Sequence, residues 1–65
     1  MRNSVKELRT QAGLSQQDLA DRLGVSRQTV ISIEKARYLP SLALAFAIAR
    51  VFSAKVEDVF QEEAS

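Results

Sequence analysis

Helix-capping residues recur at short intervals along this chain, and this spacing restricts it to short helices joined by tight turns. Ser4 and Ser15 each stand three positions before an acidic residue, which is the spacing of a capping box, and Gly13 and Gly24 follow the helices that these serines begin. Between the caps, apolar residues recur three or four positions apart, as on a helix with one buried face. The predicted helices run from Ser4 to Gly13, from Ser15 to Gly24, from Ser26 to about Lys35, from Ser41 to about Phe52 and from Val56 to Phe60. The sequence therefore predicts an all-α fold.

The 65 residues allow a single domain, which we place at residues 1–65, with a core that is only marginally stable by itself. Domains of this size often depend on a disulfide, a metal ion or oligomerisation. The chain has no Cys and no His, so disulfides and the usual zinc sites are excluded, and the commonest catalytic nucleophiles and bases are missing. We therefore expect an oligomer with no metal, no cofactor and no enzymatic activity.

The charges are distributed unevenly, although the net charge is only +1. All nine basic residues and four of the acidic ones fall in residues 1–55, whereas residues 56–65 contain four acids and no base. A basic body with an acidic tail is compatible with a nucleic-acid surface, but charge alone indicates an ordinary solvated surface equally well. The first residues have no apolar run, and the stretch 42–49 is too short to span a membrane, so we expect a cytoplasmic protein.

Residues of the second and third predicted helices have the spacing of two helices that cross closely. Counted from Gln16 as position 1, the key positions 5, 9, 15 and 18 are Ala20, Gly24, Val30 and Ile33. Ala20 is small enough for the crossing point, and Gly24 supplies the positive φ of a tight turn. Val30 and Ile33 face the core, which turns the opposite side of their helix outward. This pattern predicts a helix-turn-helix at about residues 16–35, and a helical hairpin in an ordinary small bundle is the alternative.

The outward side of the third helix carries side chains suited to DNA: Arg27, Gln28, Ile31, Ser32 and Lys35. Arg and Gln form bidentate hydrogen bonds with the edges of guanine and adenine. Arg27 and Gln28 lie in the first turn of this helix, the part that enters the major groove in such motifs. The composition of this face therefore favours groove binding over a merely solvated hairpin.

Several runs along almost the whole chain match one family pattern. They are GLSQQDLA at 13–20, LGVSRQTV at 23–30, IEK at 33–35, PSL at 40–42, IA at 48–49 and VEDVF at 56–60. Together they closely resemble the Cro/XRE family of phage and bacterial repressors, above all its minimal single-domain dimeric members. The resemblance implies a five-helix lambda-repressor-like DNA-binding domain, with dimerisation helices at about residues 41–60. It also implies a short terminal two-stranded ribbon of Met1-Arg2 with Phe60-Gln61-Glu62.

The resemblance also implies roles for the matching positions. Gln16, at the start of the second helix, is implied to bind phosphate and to brace Gln28. An ion pair between Arg9 and Glu34 is implied to join the first and third helices. The implied base-reading residues are Arg27, Gln28, Ile31 and Ser32. The implied phosphate contacts are Gln16, Gln17, Ser26, Thr29, Lys35, Arg37 and Tyr38.

Three positions depart from the family pattern. Ala36 stands where the family favours Gly or Asn, so the third helix is expected either to run longer or to lead into a differently placed loop at 37–39. Ser53 replaces a common Gly. Lys55 stands where a Ser or Asp cap is usual, so the last helix is expected to be weakly anchored.

The fourth helix is apolar on nearly every side, since Arg50 is the one charged residue between Leu42 and Phe52. A helix in so small a domain has one face to bury, which we assign to Leu42, Ala45, Phe46, Ile48, Ala49 and Phe52. The remaining apolar residues of this helix form a second stripe of Leu44, Ala47 and Val51. We expect this stripe, together with Phe60, to pack against a second copy of the chain. Scattered exposed Ala and Leu are the alternative. A two-fold dimer places its recognition helices roughly 34 Å apart on an inverted repeat.

Three functions compete for this sequence. The favoured one is a homodimeric repressor that binds double-stranded DNA at an inverted-repeat operator. The second is the antitoxin of a toxin–antitoxin pair, for which the acidic tail from Glu57-Asp58 to Glu62-Glu63 is the only hint. The third is a helical interaction module that has lost DNA binding, against which Arg27, Gln28 and Lys35 argue.

Overall fold

The computed structural model describes residues 2–62, and these residues form five helices with a two-stranded ribbon at their two ends. In chain order the elements are β1 (Arg2–Asn3), α1 (Val5–Gln11), α2 (Gln16–Leu23), α3 (Arg27–Glu34), α4 (Leu42–Val51), α5 (Val56–Val59) and β2 (Phe60–Gln61). The predicted five-helix architecture is therefore confirmed. Met1 and Glu63, expected in the ribbon and in the acidic tail, lie outside the described residues. No helix within residues 2–62 has the length and apolar character to cross a membrane.

Serine caps fix where the middle helices begin. The Ser15 hydroxyl accepts the backbone N–H of Asp18 at 2.9 Å, and the Asp18 carboxylate accepts the N–H of Ser15 at 3.0 Å, so the predicted capping box is present. Ser26 and Ser41 each accept the N–H of the residue three positions on. The capping box predicted at Ser4 is wrong, because this residue lacks the extended backbone of a helix N-cap and makes no side-chain cap bond.

After α3 and again after α4, a residue other than glycine has its backbone in the left-handed region. Ala36 has φ +58° and Ser53 has φ +52°. The N–H groups of Ala36 and Arg37 donate to carbonyls in the last turn of α3, both at 2.9 Å, and so close the end of that helix. Of the two outcomes expected at Ala36, the longer helix is therefore wrong, because α3 already ends at Glu34.

The core lies where α2 crosses α3. Leu19 and Ala20 of α2 and Val30 and Ile33 of α3 are each at most 1% exposed. The small side chain of Ala20 lets the two helices approach closely, and Gly24 ends α2 with φ +72°. The other buried members of this cluster, contributed by α1, α4 and α5, are Val5, Ile48, Ala49 and Val59.

The face that α4 turns toward this core differs at its edges from the one expected. Leu42 and Phe46, which we assigned to the core, are 69% and 48% exposed, so that assignment is wrong. Leu44 and Val51, which we assigned to a partner-facing stripe, are half-buried and pack against the core. A helix with apolar residues on every side carries no sequence signal for the edges of its buried face, so packing decides them. The centre of the expected face is confirmed, because the buried residues of α4 are Ala45, Ile48 and Ala49.

The predicted terminal ribbon is confirmed for its described residues. Arg2 pairs with Gln61 and Asn3 with Phe60 in an antiparallel arrangement. The Asn3 amide also donates to the carbonyl of Ile33 at 2.9 Å, and its Oδ1 accepts the first N–H of α1 at 3.2 Å. The ribbon is thereby fastened to the last turn of α3.

We expect Ala36→Gly to stabilise the fold. A side chain in the left-handed region costs about 1–2 kcal/mol, and Gly removes this strain while making the unfolded chain more flexible, so the net gain is about 0.5–1 kcal/mol. Urea unfolding should show a higher midpoint with an unchanged slope. Ala43→Gly, the same change on the exposed helical backbone of α4, is the matched control and should lower the midpoint. A lower midpoint for Ala36→Gly as well would contradict strain at this residue.

Candidate DNA-binding surface

The outward side of α3 presents the side chains predicted to read bases. Val30 and Ile33 are buried, so residues about half a helical turn away lie on the opposite side of α3, which faces outward. Arg27 and Gln28 on this side are exposed, and Ile31 and Ser32 are half-buried. The structure therefore brings the predicted base-reading residues together on one face of α3.

Two hydroxyl side chains hold the start of α3. Ser26 Oγ accepts the N–H of Thr29 at 3.2 Å and lies 2.9 Å from Thr29 Oγ1. Ser26 is exposed and Thr29 is half-buried. Both hydroxyls thus lie at the edge of the exposed first turn, beside the side chains of Arg27 and Gln28.

The first turn of α2 offers backbone N–H groups to an anion. The capping box occupies the N–H groups of Ser15 and Asp18, whereas those of Gln16 and Gln17, the first two helical residues, have no carbonyl partner within the helix. Hydrogen bonding from Ser15, first from its backbone and then from its side chain, lowers the pKa of Asp18 below its ordinary value. The cap therefore stays ionised at neutral pH, and the two remaining N–H groups point out at the positive end of the helix dipole.

A shallow cleft joins the starts of α2 and α3. It is lined by Arg9, Ser15, Gln16, Gln17 and Arg27. The structure thus places Gln16 and Gln17, two predicted phosphate contacts, beside the predicted base reader Arg27. Both the helix start and the guanidinium group attract negative charge, so the cleft suits the backbone of a nucleic acid.

Glu34 joins α3 to both preceding helices. Its carboxylate accepts Arg9 Nε at 2.6 Å and Arg9 Nη2 at 3.3 Å, so the implied ion pair is present and bidentate. Gln16 Nε2 donates to the same carboxylate at 3.2 Å, and Arg9 Nη1 donates to the Leu14 carbonyl at 2.9 Å. The side chain of Gln16 is therefore held by Glu34 and does not brace Gln28. Because the side chains of the pair are only 10% and 5% exposed, this network fixes how the three helices meet.

The remaining predicted phosphate contacts lie at the other end of α3. Lys35 follows the last residue of the helix, Arg37 and Tyr38 lie in the loop before α4, and all three are exposed. The eight residues of α3 span about 12 Å at 1.5 Å per residue. The predicted phosphate contacts are therefore divided into two groups, one at each end of α3, and are not gathered into a single patch.

Asn3 is a positioning residue that the sequence did not indicate. Its bond to the Ile33 carbonyl supports the last turn of α3 from the ribbon, at the same end as Lys35. The two bonded residues are 30 positions apart. A single Asn at no regular spacing from its partner gives no pattern from which such a contact could be predicted.

Comparison with known proteins identifies relatives along nearly the whole chain. A family model described as helix-turn-helix matches residues 5–59. An uncharacterised HTH-type transcriptional regulator of Methanocaldococcus jannaschii is 57% identical over 60 residues, which cover 92% of this chain and 91% of that protein. YgzD of Bacillus subtilis, also an uncharacterised HTH-type transcriptional regulator, matches with the same identity and the same coverage. A regulator of the same description from Archaeoglobus fulgidus is 52% identical, with 92% and 84% covered.

We expect Glu34→Gln to destabilise the fold by about 3–5 kcal/mol, because it leaves the buried charge of Arg9 without its partner. Glu7→Gln, the same change at an exposed position of α1, is the matched control and should alter the free energy of unfolding by no more than about 0.5 kcal/mol. Replacing both members of the pair with Met should recover much of the loss, since no buried charge remains. Urea unfolding measures all three variants. Equal effects of Glu34→Gln and Glu7→Gln would show that Glu34 does not hold the helices together.

Proposed function

We propose that this chain, which belongs to the Cro/C1/XRE-type helix-turn-helix family of DNA-binding transcriptional regulators, is a repressor that binds an inverted-repeat operator as a homodimer. The exposed first turn of α3 is the observation that carries the proposal. There Arg27 and Gln28 stand on a buried helix pair, beside the anion-attracting start of α2. We infer that the protein acts by binding and not by catalysis, and that it does so in the cytoplasm.

In this proposal α3 lies in the major groove and reads bases with its outward face. The Arg27 guanidinium suits the O6 and N7 acceptors of guanine, and the Gln28 amide suits the N6 and N7 groups of adenine. Ile31, one turn further along, offers an apolar contact to a thymine methyl group, and Ser32 offers a hydroxyl to either kind of base. The buried side of α3 packs into the core and so holds these four side chains on a rigid element, as base contacts require.

The two groups of phosphate contacts suit the two edges of the groove. The major groove is about 12 Å wide, close to the length of α3. At one edge the N–H groups of Gln16 and Gln17 would meet a phosphate, with the hydroxyls of Ser26 and Thr29 beside them. At the other edge the contacts are proposed for Lys35, Arg37 and Tyr38. Phosphate bonds of this kind set the register of α3 and carry no base preference.

A two-fold dimer turns this single contact into operator recognition. Two copies related by a two-fold axis present α3 helices roughly 34 Å apart, one helical turn of DNA, and therefore read an inverted repeat. An operator that overlaps a promoter would then be closed to RNA polymerase while the dimer is bound. We propose repression by this occlusion.

The acidic residues of α5 do not favour the antitoxin alternative. Glu57 and Asp58 lie in the first turn of α5, where the helix dipole favours negative charge. The Asp58 carboxylate also accepts the N–H of Lys55 at 3.4 Å. Both acids therefore have a local structural role, and a basic toxin is not needed to explain them.

Gln28→Ala should relax specificity at one base pair in each half-site, because the amide that reads the adenine edge is lost. Discrimination at that position should fall by about 1–3 kcal/mol, while the ranking of substitutions elsewhere is kept. Competition mobility shifts measure this with single-base-pair variants of an operator selected from randomised DNA. Gln11→Ala, at the exposed end of α1, is the matched control and should leave the pattern unchanged. Equal weakening on every sequence would remove Gln28 from the base readers.

Lys35→Ala should weaken binding to all sequences alike and reduce the slope of log affinity against log salt by about one. The reason is that one phosphate loses the charge that displaces its counterion. Lys55→Ala removes an exposed lysine at the start of α5 and should keep the wild-type slope. If the two variants have the same slope, Lys35 does not contact phosphate.

A further inference from the structure

The described residues expose a group of large apolar side chains where the α3–α4 loop, α4 and α5 meet. Leu39 is 66% exposed, Leu42 is 69% exposed and Phe46 is 48% exposed. Leu42 and Phe46 are four positions apart on α4 and are therefore neighbours on one face. Leu39 and Leu42 line a groove whose other wall includes Val56 and Phe60. These five residues form what we call the apolar patch.

We propose, resting on the homodimer of the proposed function, that the apolar patch binds a second copy of this chain and that this contact fixes the loop carrying Arg37 and Tyr38. The surface differs from the stripe predicted on α4, with which it shares only Phe60. It also gives dimerisation a direct effect on DNA binding.

Burial separates the apolar patch from the predicted stripe. Leu44 and Val51 already pack against the core of their own copy, and Ala47 between them is small and half-buried. Leu42 and Phe46, in contrast, have about half or more of their surface in water. Adjacent large apolar side chains at the surface of a small domain mark an interaction site. The apolar patch is thus the surface that gains most from being covered.

Charges at the edges of the apolar patch favour a second copy over an unrelated protein. On the α4 side, Arg50 lies one helical turn beyond Phe46. On the α5 side, Glu57 and Glu62 line the surface next to the α5 residues of the patch. In a two-fold dimer the same surface of each copy forms the contact, with one copy rotated by 180° relative to the other. The basic edge of one copy therefore faces the acidic edge of the other. One surface therefore supplies both halves of a complementary contact.

The apolar patch and the DNA-binding surface share the loop after α3. Leu39 and Phe60 also line a cavity with Asn3, Ala36 and Tyr38. This cavity lies between the ribbon and the loop, and Ala36 beside it holds left-handed backbone. A partner seated on Leu39 restricts the loop that carries Tyr38. Dimerisation thereby orders the phosphate contacts at the far end of α3.

Sedimentation of the full chain over a concentration series tests the surface. Leu42→Glu and Phe46→Glu place a charge on the apolar patch at positions that are exposed in a single copy, so folding, checked by circular dichroism, should survive. Each should raise the Kd of the dimer about thirtyfold or more, as loss of an interface hot spot does. Ala43→Glu, exposed on α4 outside the patch, is the matched control and should remain dimeric.

Two results would overturn this surface: a wild-type chain that stays monomeric, and folded dimers that persist in both patch variants. If Ala47→Glu loses the dimer in the second case, the interface returns to the stripe of Leu44, Ala47 and Val51.

A charge swap tests the reversed pairing. Arg50→Glu alone should raise the Kd of the dimer about tenfold, since the contact occurs twice in a two-fold interface. Adding Glu57→Arg and Glu62→Arg should restore the wild-type value, because every charge at the edges has then changed sign. A folded triple variant that dimerises no better than Arg50→Glu contradicts the two-fold pairing.

Binding to a single half-site separates this surface from the proposed function. Leu42→Glu should still discriminate the half-site from scrambled DNA, because α3 is untouched. Its salt slope should be shallower than that of the wild-type dimer per half-site, because the loop contacts are not ordered. If the wild type also fails to discriminate, the proposed function fails; if it discriminates and Leu42→Glu stays dimeric, only the apolar patch is wrong. Equal slopes would contradict the coupling between the patch and the loop.

Discussion

The buried carboxylate of Glu34 is the interaction on which the arrangement of the helices depends. It stands at the end of α3 and accepts hydrogen bonds from Arg9 of α1 and Gln16 of α2, while Arg9 also binds the Leu14 carbonyl in the turn between them. Three helices and a turn therefore meet at one ion pair. A buried pair adds little net stability, but it penalises every arrangement that leaves one charge alone. It thereby selects the angle at which α2 and α3 meet.

That angle gives the two ends of α3 different kinds of support. At its start, the serine cap and the buried crossing at Ala20 hold Arg27 and Gln28 on a rigid base. At its end, Ala36 takes a left-handed backbone, the loop runs on to the exposed Leu39, and the ribbon attaches through a single amide. The rigid end suits base reading, which depends on fixed geometry. The less supported end carries the phosphate contacts that we propose a partner copy completes.

The helix-turn-helix could be predicted from the sequence because its constraints are local. Ser15 and Gly24 act within a few residues of themselves, and the alternation of buried and exposed side chains on α3 is set by helical period. The edges of the buried face of α4 could not be predicted, since Leu42 and Leu44 are equally apolar and only contacts with other helices distinguish them. The role of Asn3 was beyond prediction for a related reason, because its partner is distant in the chain and follows no spacing.

Methylation interference tests most directly whether two α3 helices read the major groove. Dimethyl sulfate modifies guanine at N7, on the major-groove edge, and adenine at N3, on the minor-groove edge. We expect methylated guanine N7 to block binding in two symmetric clusters whose centres are about 10 bp apart. Interference confined to adenine N3, or a single asymmetric cluster, would contradict a two-fold dimer with α3 in the major groove.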